Sequence, residues 1–231
     1  MPRRVRVNSA GLAYHALNRA SRGLKIFRKP GDYLAFLTIL EQVCHRIPTM
    51  RILAFILMPT HWHLVLWPQS DGELSEFLRL LTVTHTQRHH AHYKTAGTGP
   101  LYQGRFKSFP IQEDHHLLTV IRYVERNPLR AGLVKRAQDW PHGSLAIRQR
   151  HDDPRQEILH RWPIEVPTDY LDWVNRPQTE TELLALQTAI RRNRPFGGES
   201  WQKRTIARLG LESSMRPKGR PLKTPQAVQG K

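Results

Sequence analysis

The sequence predicts an α+β fold, a four-stranded antiparallel sheet carrying helices, and three features of the 231 residues point there. Two apolar, strand-like runs, Arg51 to Met58 and His61 to Trp67, are separated only by Pro59-Thr60, which reads as a tight connection between antiparallel neighbours. Two longer segments carry apolar residues at helical spacing and end at breakers. Further short strand-like runs lie before the first helix and after the second.

Residues 12–19 read as the first strand. In Gly31 to Ile47, apolar Tyr33, Leu34, Phe36, Leu37, Ile39 and Leu40 fit a well-buried helix that Pro48 closes. The pair 51–58 and 61–67 follows. Residues 73–94 form a second helical pattern through Leu74, Phe77, Leu78 and Leu81 to Tyr93, stopped by Gly-Thr-Gly-Pro at 97–100. Leu101 to Gln112 reads as a fourth strand and Asp114 to Asn127 as a third helix. This order matches the split β-α-β, ferredoxin-like arrangement (βαββαβ), with helices on one face of the sheet. Three segments are expected: a core over 1–135, a helical extension over 136–212 with helices near 168–175, 180–193 and 199–209, and a basic, disordered tail over 213–231.

Charge narrows the function. Lys and Arg number 36 against 19 acidic residues, a formal net charge of +17. Such an excess favours a polyanionic partner, nucleic acid ahead of an anionic membrane, since no amphipathic lipid-binding stretch stands out. From Arg191 to Lys231, eleven Lys or Arg face two Glu, a net +9. The single Cys44 excludes an internal disulfide and a cysteine-rich zinc site. No apolar run approaches the roughly 18 residues a membrane span needs, so a cytoplasmic, nucleoid-associated protein is expected.

Met58-Pro59-Thr60-His61-Trp62-His63 is the most informative stretch. On a strand, His61 and His63 share a face and can converge on one metal ion, while Trp62 points into the layer between sheet and helices. Alone, such a pair is more often a polar patch on a solvated face. On the third helix, Tyr123 and Asn127 lie one turn apart, and Leu117, Leu118, Ile121 and Val124 supply the buried side. Two imidazoles and an amide oxygen would suit Mg²⁺ or Mn²⁺ and leave positions open for phosphate. Arg105 and Lys107, two apart on the fourth strand, are candidates for phosphate contacts with a nucleic acid. Glu113 and Asp114 suit a capping role, and His85, His89, His90 and His92 suit a polar helix face rather than a metal site.

His61-Trp62-His63 resembles the histidine–hydrophobic–histidine motif of single-tyrosine HUH endonucleases. The run Tyr123-Val-Glu-Arg-Asn127-Pro128-Leu-Arg-Ala-Gly132 resembles their nucleophile helix, and Tyr102-Gln-Gly-Arg-Phe-Lys-Ser108 also matches, with all three blocks in order. The nearest subgroup is the REP-associated tyrosine transposases. Thr60 stands where Asn often precedes the first histidine, and Asn127 where the insertion-sequence branch has Gln. The resemblance covers about residues 10–149, with a looser echo at Arg194-Pro-Phe-Gly197.

The resemblance implies a metal-dependent single-strand DNA endonuclease and strand transferase. Tyr123 would be the nucleophile, His61, His63 and Asn127 the metal ligands, and a 5′-phosphotyrosine the intermediate. The implied partner is hairpin DNA of repetitive extragenic palindromes, bound by a monomer or homodimer. Lys218 and Arg220, in Lys218-Gly-Arg-Pro221, resemble minor-groove-binding arms. The rival classes are an RNA- or single-strand-binding module and a non-catalytic hairpin binder. The first requires aromatics on the open sheet face, where the histidines stand instead.

Overall fold

A computed structural model describes residues 8–215. In chain order it contains β1 (Ala13–Arg19), α1 (Pro30–Arg46), β2 (Arg51–Met58), β3 (His61–Trp67), α2 (Glu73–Tyr93), β4 (Lys107–Ile111), α3 (His115–Glu125) and the one-turn α4 (Asn127–Arg130). The later helices are α5 (Ser144–Gln149), α6 (Tyr170–Asn175), α7 (Glu180–Arg192) and α8 (Glu199–Leu209). The strands form one antiparallel sheet in the order β2-β3-β1-β4, the ferredoxin-like arrangement.

Helix starts follow local chemistry. Pro30 opens α1, whose first turn is fixed by the Asp32 carboxylate accepting from the backbone N–H groups of Arg28 and Lys29. Asp114 caps α3 by accepting from the His116 N–H at 2.8 Å, as expected, while Glu113 accepts from the Ala13 N–H. Pro128 sits in the first turn of α4, so the helical path breaks at Arg126 instead of running unbroken to Asn127.

Strand alternation divides the core. Tyr14 and Ala16 from β1, Phe55 and Leu57 from β2 and Trp62, Leu64 and Leu66 from β3 pack under α1 and α2. Ala13, Ile56, Met58, Val65, Phe109 and Ile111 face the other way, onto Leu117, Val120, Ile121 and Val124 of α3. The second face is thus covered as well, by α3 and by Leu145, Tyr170, Val174, Leu186 and Ala189 of the C-terminal helices. Seven consecutive residues of β2, Ile52 to Met58, are buried for this reason.

Both sheet edges are closed by the chain beyond residue 136. Along β2, the Leu57 N–H donates to the His142 carbonyl, the His160 N–H donates to the Ile52 carbonyl, and the indoles of Trp140 and Trp162 donate to the carbonyls of Leu57 and Leu53. Gly143 passes so close that a Cβ there would collide with the Ile56 side chain. Along β4, the Phe196 N–H donates to the Pro110 carbonyl and the Gln112 N–H donates to the Phe196 carbonyl.

The fourth strand is shorter than expected. Regular pairing starts at Lys107, and Tyr102 makes only an isolated bridge to Ala20. The Tyr102 ring is drawn under α2, where the Trp62 indole donates to its hydroxyl at 3.0 Å and His85 Nδ1 lies 2.6 Å from it, so the chain leaves the ladder.

Candidate active site

The α3 face of β3 carries the predicted histidines. His61 lies opposite Arg19 of β1 and Met58 of β2, and His63 lies opposite Leu17 and Ile56. Their ring centroids are 5.1 Å apart. Thr60 Oγ1 lies 3.0 Å from His61 Nδ1, and His15 Nε2 lies 2.8 Å from His63 Nδ1. With each Nδ1 engaged inside the protein, Nε2 is the ring nitrogen left to serve a ligand.

The tyrosine and the asparagine arrive from the opposite layer. Tyr123 packs edge-on against His63 with centroids 5.9 Å apart, and the Asn127 amide Nδ2 lies 3.4 Å from His63 Nε2. Arg130 closes the group: its guanidinium stacks 4.6 Å from the Tyr123 ring centroid and donates to the phenol oxygen at 3.2 Å. It also reaches Asn127 Oδ1 at 3.4 Å. Tyr123 is only 6% exposed, yet its hydroxyl meets a guanidinium rather than apolar side chains. His61, His63, Tyr123 and Asn127 therefore share one site.

Electrostatics keep the imidazoles neutral. Burial, helped by the cations Arg19 and Arg130, lowers His61 to about 4. Burial also holds His63 well below the usual histidine range, with His15, His61 and the two arginines adding to it. Neutral rings offer lone pairs at physiological pH, so the donor set fits a divalent ion. The Asn127 amide turns Nδ2 toward His63 and Oδ1 toward Arg130, so its oxygen would face an ion beside His63 only with the amide turned over.

A second group of donors, Asp114, His115 and His116, brings its ligand atoms within 4.8 Å of one another. It sits at the N-terminus of α3, where the helix dipole opposes a cation and the carboxylate already caps the helix. The helix histidines differ from expectation: His85 and His89 are buried against α1 rather than forming a polar face, because they continue the stripe Leu74, Phe77, Leu78 and Leu81.

Arg105 and Lys107 do not share a strand face. Lys107 begins β4 opposite Leu17, in the same cross-strand row as His63. Arg105 precedes the strand and lines a groove of about 520 Å³ with Asn18, Arg79, Thr86, Tyr102 and Phe106. Lys218 and Arg220 lie outside the described residues. Sequence reasoning missed His15, Arg19, Thr60 and Arg130 as members of the site. A histidine within the buried, mostly apolar run Ala13 to Leu17 of β1, and an arginine three residues after Asn127, were the available signals.

This fold, with paired histidines facing a helix-borne tyrosine, is accompanied by a match to the IS200-like transposase family. The chain belongs to that family, whose IS200-like transposase model matches residues 8–127. It is similar to a REP-associated tyrosine transposase of Haemophilus influenzae, 26% identical over 139 residues that cover 55% of this chain and 74% of the relative. A solved REP-associated tyrosine transposase, bound to a REP hairpin, shares the fold with a TM-score of 0.52. It is 20% identical, and the match covers 78% of this chain and 99% of that one. Among the described residues no helix is long and apolar enough to cross a membrane.

Proposed function

We propose that this protein is a metal-dependent single-strand DNA endonuclease and strand transferase that acts beside DNA hairpins, with Tyr123 as the nucleophile. The observation that carries the reading is the convergence of His61 and His63 from β3 with Tyr123 from α3 and Asn127 from α4 around one space. The hairpin substrate is taken from the relative solved with a REP hairpin.

His61, His63 and Asn127 would hold a Mg²⁺ or Mn²⁺ ion, which when bound supplies charge neutralisation at the scissile phosphate. Arg19 and Arg130 flank the histidines and bring further positive charge to a phosphate there. The Tyr123 oxygen attacks phosphorus and loses its proton, the bond from phosphorus to the 3′ oxygen breaks, and that oxygen takes up a proton. The products are a 5′-phosphotyrosine and a free 3′-hydroxyl. Because the phosphodiester energy is kept in the covalent link, a second 3′-hydroxyl can reverse the step and complete strand transfer. Lys107, in the His63 row, is placed for a phosphate contact. In this reading residues 1–135 carry the chemistry, 136–212 brace them, and the basic tail with Lys218 and Arg220 adds DNA contacts in the nucleoid.

The test is incubation of the protein with end-labelled hairpin DNA bearing a single-stranded flank, in Mn²⁺. A covalent adduct that is stable in denaturing gels, and absent in Tyr123→Phe, is expected. Hairpin binding without an adduct in the wild type would leave a non-catalytic binder and overturn the enzymatic reading.

A further inference from the structure

We infer that His15 is a positioning residue of the metal site: its buried imidazole accepts the Nδ1 proton of His63 and so keeps the His63 lone pair on Nε2. The inference rests on the reading of His61, His63 and Asn127 as ligands.

His15 is completely buried in β1, with Cα partners Val65 and Phe109 on the neighbouring strands. Phe109 packs on its ring with centroids 4.9 Å apart. An imidazole in such apolar surroundings costs desolvation that a leucine or phenylalanine would avoid. Among the described residues it makes a single polar contact, the 2.8 Å bond between its Nε2 and His63 Nδ1, and its own Nδ1 is buried without a partner.

Two neutral imidazoles joined by one hydrogen bond have two arrangements of their protons. In one, His15 donates from Nε2, and the His63 proton must then sit on Nε2. In the other, His63 donates from Nδ1 and its Nε2 is a bare lone pair. Among the described residues His15 Nδ1 lacks a partner in both, as a bare lone pair in the first and as a buried N–H, the costlier orphan, in the second. The second arrangement therefore has to be favoured by whatever faces His63 Nε2. Here that group is the Asn127 amide, which Arg130 holds by donating to Oδ1, so that Nδ2, a donor, faces the ring and favours the lone pair. A cation demands the same. The pair therefore already stands in the arrangement a metal needs, and His15 supplies the acceptor that holds it there. Thr60 beside His61 Nδ1 plays the matching part for the other ring.

The experiment measures Mn²⁺ binding to the full chain by the electron-spin-resonance signal of free Mn²⁺, with thermal melts to verify folding. His15→Phe keeps the ring shape and removes the acceptor; a Kd weakened about 10-fold is expected, the scale for lost outer-shell partners of metal-bound histidines. His15→Gln, whose amide oxygen can accept from His63 Nδ1, is expected to recover most of that loss. A folded His15→Phe that binds Mn²⁺ like the wild type overturns the proposal. Should that variant not fold, nitrogen-15 NMR of the wild-type His63 ring decides: a proton on Nδ1 supports the proposal and one on Nε2 overturns it. His63→Ala separates the two levels. If it leaves Mn²⁺ binding intact, the ligand reading itself fails; if it abolishes binding while His15→Phe does not, only the role of His15 fails.

Discussion

The two faces of the sheet are built from the same strands yet serve different ends. Toward α1 and α2, β3 presents Trp62, Leu64 and Leu66, all completely buried, and the Trp62 indole, the Tyr102 hydroxyl and His85 are linked in one hydrogen-bonded chain. Toward α3, the same strand presents His61, His63 and Val65, and the layer holds a neutral histidine pair, a tyrosine and the buried Glu125. The first face spends its apolar area on rigidity. The second accepts polar groups because the first has already fixed the strand that displays them. A period of two residues thus separates support from chemistry within seven positions.

Variants on the two faces should therefore fail differently. Tyr123→Phe removes all covalent adduct with little change in melting temperature, since the ring stays in place. Acid should act on both faces at once. Burial lowers His15 and His85 to about 3 and, with the nearby arginines, His61 to about 4. The unfolded chain takes up protons near the ordinary histidine value of 6.5 that the folded chain refuses, so stability is lost as pH falls from there toward about 4. The slope approaches about 1.4 kcal/mol per pH unit for each deeply buried ring; urea unfolding at pH 7, 5.5 and 4 checks it, and a flat profile would contradict the burial of these rings.

Trp62→Ala should cost about 3–5 kcal/mol of folding stability through the cavity it leaves under α1 and α2. Mn²⁺ affinity of the protein that remains folded should change little, which a titration at low temperature would show. Tyr170→Phe is the smallest of the set. Glu125 is fully buried on α3, and its carboxylate accepts from the Tyr170 hydroxyl at 2.6 Å and the Ser144 hydroxyl at 2.7 Å. Losing one donor should destabilise by about 1–3 kcal/mol, measured by chemical denaturation. A neutral outcome would mean that the carboxyl group is held by Ser144 alone.

Much of this was legible in the sequence, where the signal was local and periodic. The spans of α1, α2, β2 and β3 follow from apolar spacing with Pro48, Pro59 and Gly97 as stops. His61 and His63 could be assigned to one face by alternation alone. The long reading of the fourth strand failed because Tyr102 obeys a tertiary demand, the hydrogen bonds beneath α2, rather than strand propensity. Arg105 was misplaced with it. His15 escaped notice since its meaning depends on the β1–β3 register, which brings residues 48 positions apart within 2.8 Å. The C-terminal region read as a mere extension because its tryptophans show no period; the indoles of Trp140 and Trp162 instead each meet a particular carbonyl of β2.

Those indoles carry a consequence for the life of the chain during synthesis. Until residues 140–162 emerge and dock, β2 is an eight-residue, almost wholly apolar margin with open donors and acceptors, the kind of template that pairs with other copies. A chain cut short just after Arg130 would keep His61, His63, Tyr123, Asn127 and Arg130 and still be prone to clump, so solubility, rather than chemistry, sets how far this protein can be shortened.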